Sequence, residues 1–208
     1  WGLTPLPGPR WLYLTLLLPW LVPPTARPPE GGFDLVTFDV GQGQMQLLRT
    51  ANHALLYDSG PTGQHGDAVH STLMPWLAQR RVSVDLVIHS HGDSDHTGGL
   101  TTLRQQLPQT LFLGGQPSRT DGHFPCRRGQ RWRWDGVTVE VLWPPAGVRL
   151  QQGNNHSCVL WVHSGSGSGS VLLGGDMEQP VEYWLAQQRG PESVDLLLVP
   201  HHGSETSS

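Results

Sequence analysis

The sequence contains no lysine, and its thirteen basic residues are all arginine. Seventeen acidic residues outnumber them, which gives a net charge of −4 and a pI near 6.2. A protein that binds nucleic acid tightly carries a strongly basic footprint. This composition excludes that class, so any nucleic acid would be held briefly or locally. We attribute the absence of lysine to a compositional bias of the source.

Cysteine is almost absent as well. Cys126 and Cys158 are too few for a disulfide scaffold, and they lack the CxxC spacing of a zinc site. Two buried thiols are the more common arrangement in cytosolic proteins, whereas one bridge becomes plausible in an oxidising compartment. The residues alone leave both arrangements open.

No apolar run reaches the roughly 20 residues that a membrane-spanning helix needs. The run Trp11–Val22 has twelve residues, is interrupted by Pro19 and is followed by a proline-rich stretch. It fits the apolar part of a signal peptide, a buried core helix, or the stub of a transmembrane or interfacial helix. We favour the stub, because Trp1 at the first position indicates a chain cut from a longer protein. We therefore expect a membrane-helix stub and linker over residues 1–30, and one domain over residues 31–208 whose closing C-terminal elements are missing.

The rest of the chain alternates between strand-like and helix-like segments. We predict a helix over Asp67–Arg80, kinked or broken at Pro75, and another over Leu100–Leu107. We also predict a third helix over Gln179–Arg189 and a buried strand over Val194–Pro200. The other strand predictions are Gly31–Asp39, Gln44–Arg49, His53–Asp58, Val84–Ile88, Leu111–Gly114, a hairpin through Trp132 to Leu142 that turns at Asp135-Gly136, Cys158–Val162 and Val171–Leu173.

The stretch His89–Gly99 reads HSHGDSDHTGG and follows a buried strand. Four potential metal ligands fall within six residues: His91, Asp93, Asp95 and His96. Imidazole nitrogen and carboxylate oxygen suit zinc or manganese, and this set can bind two divalent ions better than one. A strand that ends in a ligand-rich loop is a rigid way to present such a site.

This HxDxDHxGG run resembles the signature of the metallo-β-lactamase superfamily. Asp93 stands where most members carry their second histidine, and the same exchange occurs in the ComEC family of DNA-uptake proteins. Gln44 departs from the pattern DVGQGD of that family, which has aspartate at this position. If that carboxylate holds metal or DNA in the family, this chain does without it.

Three further elements follow in the family order. Tyr57-Asp58-Ser59-Gly60 resembles the element whose aspartate supports the metal ligands, which implies that role for Asp58. Gly174–Glu178 resembles the element whose aspartate bridges two metals, which implies that role for Asp176. His201-His202-Gly203-Ser204 resembles the final metal histidine, for which we favour His201 and keep His202 as a substrate or outer partner.

One ligand position is ambiguous in the sequence. Most members of the superfamily place a histidine just before the strand that corresponds to Cys158–Val162. In the DNA-uptake branch an asparagine stands near this point, and the Asn-x-x-Ser spacing selects Asn154, with His156 as the competitor. A missing ligand here would leave a coordination position for water or substrate.

The resemblance implies an α+β fold, the αββα sandwich of two mixed β-sheets flanked by helices, with metals at one edge. It implies a metal-dependent nuclease that degrades the non-transforming DNA strand during DNA uptake. The cofactors would be two divalent ions, with Mn²⁺ our first choice and Zn²⁺ the alternate. Asp93 and Asp95 would orient the attacking water or shuttle a proton. The alternatives are a catalytically idle domain that guides DNA and a small-molecule metallo-hydrolase.

Four arginines are interleaved with Trp132 and Trp134: Arg127, Arg128, Arg131 and Arg133. Such a pattern can follow a phosphate backbone and stack on bases. It can equally be a solvated hairpin whose tryptophans face the core. The sequence leaves both interpretations open.

The resemblance also implies partners and a location. The partners would be DNA, a membrane channel region of the same polypeptide and the DNA-uptake machinery. The location would be the bacterial inner membrane, with this domain on the periplasmic side, where a bridge between Cys126 and Cys158 can form.

Overall fold

The apolar segments form two β-sheets whose inner faces share one core. The computed structural model describes residues 27–64, 66–116, 122–147, 153–165, 167, 169–188, 191 and 193–207. In these residues the strands are β1 (Asp34–Thr37), β2 (Gln46–Arg49), β3 (Ala54–Tyr57), β4 (Thr62–Gly63), β5 (Gly66–Asp67), β6 (Leu86–His89), β7 (Leu111–Gly114), β8 (Phe124–Pro125), β9 (Arg131–Trp134), β10 (Val137–Trp143), β11 (Val159–Ser164), β12 (Ser170–Leu173) and β13 (Leu196–Leu197).

The first sheet has the order β1-β2-β3-β6-β7-β8, and the second has the order β13-β12-β11-β10-β9. Both are mixed. In the first, β1 to β3 are antiparallel and β3, β6, β7 and β8 run parallel. In the second, only the β12–β13 pair is parallel. The expected mixed sheets are confirmed.

The described helices are a π-helical turn (Val69–Leu73) that leads into α1 (Met74–Arg80), then α2 (Ser94–Thr97), α3 (Leu100–Gln106) and α4 (Gln179–Gln187), with 3-10 turns at Asn154–His156 and Pro200–Gly203. Leu73, Leu77 and Leu103 pack on the outer face of the first sheet. Val181 packs on the outer face of the second sheet. The layers are therefore α, β, β and α, as the resemblance implied.

Strand β6 shows why the sequence folds into these layers. Leu86 and Ile88 point into the core between the sheets, and Val87 points to the helices. Both faces of the strand are covered, so its sequence is continuously apolar instead of alternating. Burying each of these side chains contributes about 1.5–3 kcal/mol. The strand that carries the metal loop is thus among the best-anchored parts of the fold.

Pro75 does not end its helix. The π-helical turn before it has a longer hydrogen-bond register, in which Met74 N donates to Val69 O. The hydrogen-bond register changes just before Pro75, which has no backbone N–H to donate. The helix therefore continues as α1, with Pro75 in its first turn. The predicted break at Pro75 is absent, and a change of helix type precedes the proline instead.

Two expectations are wrong. Val194–Pro200 is not a buried strand, because only Leu196 and Leu197 pair, at the edge of the second sheet, and they are 50% and 48% exposed. The expected inner-membrane location with a periplasmic domain is also contradicted. None of the described helices is long and apolar enough to cross a membrane. The run Trp11–Val22, on which that expectation rested, lies outside the described residues, as does most of the segment 1–30.

Asp135 connects the two sheets at one end of the sandwich. It occupies the left-handed region, with φ of 48°, in the turn between β9 and β10. Thr50 Oγ1 and Asn52 N each donate to its Oδ2 at 2.6 Å, and Asn52 Nδ2 donates to its Oδ1 at 2.9 Å. The hydrogen bonds from Thr50 and Asn52 lower the pKa of Asp135 to about 2.

Replacing Asp135 with alanine removes these three hydrogen bonds, and we expect the free energy of unfolding at pH 7 to fall by about 1–2 kcal/mol. Because the pKa is lowered on folding, the stabilisation by this carboxylate is complete above the ordinary value of 3.8 and is lost as pH falls through about 2. Urea denaturation at pH 7 and at pH 2.5 measures both effects.

Asp135→Asn is the matched control, because asparagine tolerates the left-handed region and still accepts a hydrogen bond. It should retain part of the stability and lose the pH dependence that this carboxylate contributes. Equal stability of wild type and Asp135→Ala at pH 7 would contradict this role.

Candidate metal centre

The ends of four strands bring the predicted ligands to one edge of the sandwich. Asp58 follows β3, His91 follows β6, Asp176 follows β12, and His202 follows β13. Side-chain atoms of four residues lie within 4.8 Å of one another, which is close enough to share a metal ion. We call them the ligand cluster: Asp95, His96, Asp176 and His202.

The distances show how closely these groups converge. His96 Nε2 lies 3.1 Å from Asp176 Oδ1 and 3.6 Å from Asp95 Oδ2. His202 Nε2 lies 3.4 Å from Asp95 Oδ2 and 3.6 Å from Asp176 Oδ2. His96 is fully buried and Asp176 nearly so, whereas the side chains of Asp95 and His202 are 31% and 26% exposed. The cluster is therefore closed at its base and open to solvent at its rim.

His91 and Asp93 stand beside this cluster. His91 Nε2 is 3.4 Å from Asp93 Oδ2, and the rings of His91 and His96 lie 4.3 Å apart. The structure thus brings all four ligands predicted from the HxDxDH run to one place. The arrangement provides a second nitrogen and oxygen pair next to the ligand cluster.

Three buried atoms of this site lack a hydrogen-bond partner: His91 Nε2, His96 Nε2 and Asp176 Oδ1. The short distance between His96 Nε2 and Asp176 Oδ1 does not have the angles of a hydrogen bond. Leaving a buried polar atom without a partner costs about 1–3 kcal/mol, and native proteins rarely do so. Atoms of this kind on imidazole and carboxylate fit divalent ions, so the residues present suit the metals that we expected.

Asp58 supports the cluster from below. Its buried carboxylate accepts hydrogen bonds from Ser90 N at 2.6 Å and Ser90 Oγ at 2.8 Å, and from His96 Nδ1 at 2.8 Å. With the proton of His96 on Nδ1, the Nε2 lone pair faces the cluster. A partner of this kind fixes the tautomer and the orientation of a metal-binding histidine.

The carboxylates control the charge of His96. Burial alone lowers the pKa of this histidine, but the negative charges of Asp58 and Asp176 outweigh burial and raise it to about 10. Burial likewise raises the pKa of Asp176, but the close approach and charge of His96 lower it more. Burial and the charge of His96 lower the pKa of His91. A proton on His96 therefore balances the carboxylates until a cation takes its place.

Gly175 lets the Asp176 loop come close to the metal loop. Its φ is 55°, and a Cβ at this position would lie 2.5 Å from Ser90 Cβ. Ser157 Oγ then accepts a hydrogen bond from Asp176 N at 3.1 Å. Only glycine permits both this conformation and this approach, which explains the Gly-Gly-Asp sequence.

The two adjacent histidines point in different directions. His201 Nδ1 lies 2.6 Å from Thr206 Oγ1, and His201 Nε2 lies 3.2 Å from Asn154 Nδ2. His202 is the one that enters the ligand cluster. We favoured His201 as the direct ligand and His202 as the outer partner, and the structure places them the other way round. Both residues have positive φ, a backbone conformation that no local pattern of residues predicts for histidine.

The ambiguous position is filled by neither candidate. Asn154 Nδ2 donates to Glu178 Oε1 at 3.2 Å, and His156 ends the same 3-10 turn, outside the ligand cluster. Asn155 also donates to Glu178, at 2.8 Å. Asn154 thus connects this turn to the start of α4 and to His201. The sequence analysis overlooked Asn155 and Glu178, although both lie within motifs that it quoted.

The sequence analysis also overlooked a buried polar chain that ends at the metal loop. His89 Nε2 lies 2.9 Å from Ser59 Oγ, and His89 Nδ1 lies 2.8 Å from His123 Nε2. Ser59 Oγ donates to His96 O at 3.0 Å. Burial, followed by the charge of His123, holds the pKa of His89 well below its usual range. This neutral chain positions the backbone of the His96 segment.

Cys126 and Cys158 form a disulfide. Cys158 N donates to Ser90 O at 2.8 Å, so the bridge joins the β8 segment to a residue that contacts the metal loop. Of the two arrangements that the residues left open, the structure shows the bridged one.

The four predicted DNA-binding arginines lie on or before β9, the other edge of the second sheet. All four are exposed, Arg131 pairs with Glu140, and Arg128 lies over the ring of Trp184. Trp132 and Trp134 pack against the core between the sheets. The tryptophans are therefore core residues and not a platform for bases, and a DNA contact of the arginines stays a prediction.

The support that Asp58 gives to His96 leads to a test. Asp58→Asn removes the charge and presents an amide to His96, so we expect the affinity for Mn²⁺ and Zn²⁺ to fall about 10- to 100-fold. Isothermal titration calorimetry measures it. Asp195→Asn is the control, since Asp195 bonds Ser170 at the far end of β12. Equal losses in the two variants would contradict the assignment.

Comparisons with known proteins agree with this geometry. The chain is 38% identical to "Uncharacterized protein YcaI" of Escherichia coli (strain K12), covering 93% of this chain and 25% of that protein. It is 36% identical to "Competence protein ComA" of Neisseria gonorrhoeae, covering 86% and 25%. The chain thus spans about a quarter of the length of these relatives.

A solved structure shares the fold. The β-lactamase from Chitinophaga pinensis superposes with a TM-score of 0.52 at 15% identity, covering 84% of this chain and 81% of that one. The profile of the Metallo-beta-lactamase superfamily matches residues 38–208, which is most of the chain. The chain belongs to the metallo-β-lactamase superfamily of metal-dependent hydrolases.

Proposed function

We propose that this protein is a metal-dependent nuclease that degrades the non-transforming strand during DNA uptake. The observation that carries the proposal is the shape of the ligand cluster. His96 and Asp176 are buried at its base, and Asp95 and His202 are part-exposed at its rim. A chain as large as DNA can reach a rim that opens to solvent, whereas it could not enter an enclosed pocket.

The residues have distinct roles in this proposal. The ions would be held by six residues, and Asp58 fixes the orientation of His96. The six are His91, Asp93, Asp95, His96, Asp176 and His202. Of the four aspartates at the site, Asp93 and Asp95 have the largest exposed fractions, 43% and 31%. They can orient a water molecule toward a phosphodiester and accept its proton. Bound divalent ions supply Lewis-acid chemistry, which activates water and polarises the phosphoryl group.

Divalent metals are what this superfamily implies, and zinc is the usual one. We propose Mn²⁺ as the first choice here, with Zn²⁺ as the alternate. Asp93 stands where most members carry a nitrogen ligand, and a carboxylate oxygen shifts preference toward harder ions. Titration of the metal-free protein with each ion ranks the two.

The relatives support the biological context. One of them is named a competence protein, and competence for DNA uptake is the context in which strand degradation occurs. We propose three partners: DNA, the channel region of the longer polypeptide and the uptake machinery. The low share of the relatives that this chain spans leaves room for such a region in them.

The first test is the cleavage of linear single- and double-stranded DNA by the 208-residue protein, with and without Mn²⁺ or Zn²⁺. Because Asp95 belongs to the ligand cluster, Asp95→Ala should lower the rate at least about 100-fold. Asp195→Ala is the matched control, and it should cleave at the wild-type rate.

The alternatives predict other outcomes. DNA binding without cleavage, in protein shown to hold metal, would indicate a catalytically idle domain that guides DNA. Hydrolysis of a β-lactam such as nitrocefin without DNA cleavage would indicate a small-molecule hydrolase.

Asp93 has a test of its own. Asp93→Asn keeps the shape and removes the charge, so we expect the cleavage rate to fall about 10-fold or more while the fold is unchanged by circular dichroism. Full metal-dependent activity in this variant would remove Asp93 from the proposed mechanism.

A further inference from the structure

A second region of concentrated charge lies at the other end of β3 from Asp58. It is a recess of about 370 Å³ next to the turn that joins β2 and β3. We call it the arginine pocket, after the four arginines that line it together with Asn52 and His53: Arg27, Arg49, Arg80 and Arg81. Four of the thirteen basic residues thus meet in one place, in a chain with a net charge of −4.

Three of the guanidinium groups have contacts that limit their movement. Two of them lie over the ring of Trp76, with Arg80 Cζ 4.5 Å and Arg49 Cζ 5.6 Å from its centre. Arg27 Nη1 donates to Asn52 Oδ1 at 3.4 Å. Stacking on an aromatic ring limits the freedom of an arginine side chain, so less entropy is lost when the guanidinium binds a ligand.

The nearby carboxylates offset only part of this charge. Asp34 pairs with Arg49 at 2.9 Å, and Asp85 pairs with His53 at 3.2 Å. Asp135 is engaged by Thr50 and Asn52. Among the described residues, no carboxylate lines the pocket, and none lies within ion-pair distance of Arg80 or Arg81. The pocket therefore keeps an excess of positive charge and suits an anion.

We propose that the arginine pocket binds the phosphate groups of a nucleic-acid strand, at a site separate from the metal centre. This inference rests on the proposed function, because it supplies the contact with DNA that the ligand cluster does not. Guanidinium groups pair with phosphate oxygens through two parallel hydrogen bonds, and contacts to phosphate position a strand without reading its sequence. A concave recess suits a strand better than a flat bilayer surface.

The pocket and the metal centre lie at opposite ends of β3, which starts at Ala54 in the lining of the pocket and ends just before Asp58. At about 3.3 Å per residue the two ends of this segment are roughly 13 Å apart. Because β3 is buried, a nucleic-acid strand that contacts both sites follows a longer path over the surface. The pocket would hold DNA locally, as the acidic composition requires.

The test is the binding of a fluorescein-labelled 20-nucleotide strand to the metal-free protein, followed by fluorescence anisotropy between 25 and 200 mM NaCl. The pocket variant is Arg80→Gln with Arg81→Gln, which leaves the less exposed Arg49 intact. We expect binding at least about 10-fold weaker at low salt, and a slope of log K against log salt that is smaller by about 1.4 for two lost contacts. Circular dichroism and unchanged Mn²⁺ affinity show that the fold and the metal centre are intact.

Arg131→Gln with Arg133→Gln removes the same charge from β9 and is the competing variant. If only this variant weakens binding and lowers the slope, the strand binds at β9 and the pocket proposal is overturned. An unchanged affinity in the pocket variant, or no binding by the wild type, also overturns it. So does binding of the wild type to phosphatidylserine vesicles but not to the oligonucleotide.

A small substrate separates this proposal from the proposed function. Bis(p-nitrophenyl) phosphate is too short to span both sites, so the pocket variant should hydrolyse it within about twofold of the wild type while its KM for DNA rises. If the wild type hydrolyses neither substrate, the nuclease proposal fails. The anisotropy experiment still decides the pocket, because it requires no turnover.

Discussion

The contact between Asp58 and His96 is the constraint on which the site depends. Both side chains are fully buried, and the carboxylate also accepts two hydrogen bonds from Ser90. Removing one partner would leave the other charged and unpaired inside the protein, which typically costs about 3–5 kcal/mol. The end of β3 and the loop after β6 are therefore fixed relative to each other before any metal binds. The geometry of the ligand cluster therefore depends on this pair.

The other half of the site comes from the second sheet, and small residues allow it to approach. Gly175 brings Asp176 against Ser90, while the bridge at Cys158 and the hydrogen bond from its backbone to Ser90 hold the start of β11 to the same residue. Ser90 thus contacts Asp58, Gly175 and Cys158. At this edge of the sandwich the segments that follow the two sheets approach each other at Ser90, and residues from both would hold a metal ion.

The sequence predicted the fold and which candidate ligands come together, because both follow from local patterns. Continuous apolar runs indicate strands with two covered faces, and the HxDxDH run places its four ligands within a single loop. Predictions from local patterns were wrong where the structure depends on backbone conformation or on residues that are distant in the sequence. His201 and His202 exchanged roles through a left-handed turn. The apolar run at residues 196 and 197 predicts burial, but such a run does not reveal whether another element covers it, and both residues are about half exposed.

The arginine pocket shows that the place where charge is concentrated on the folded protein is equally hard to predict from sequence. Its arginines lie at positions 27, 49, 80 and 81, so no run or spacing connects them, whereas the arginines around β9 form a conspicuous run. In the run around β9, Arg131 pairs with Glu140, and Trp132 and Trp134 pack against the core. The dispersed set converges on one recess without a carboxylate in its lining. Net charge and local runs describe the chain as a whole, but the fold decides where a polyanion finds uncompensated charge. In this protein the arginine pocket lies at the end of β3 opposite the metal centre, so the proposed binding of a strand and its proposed hydrolysis would involve opposite ends of one β-strand.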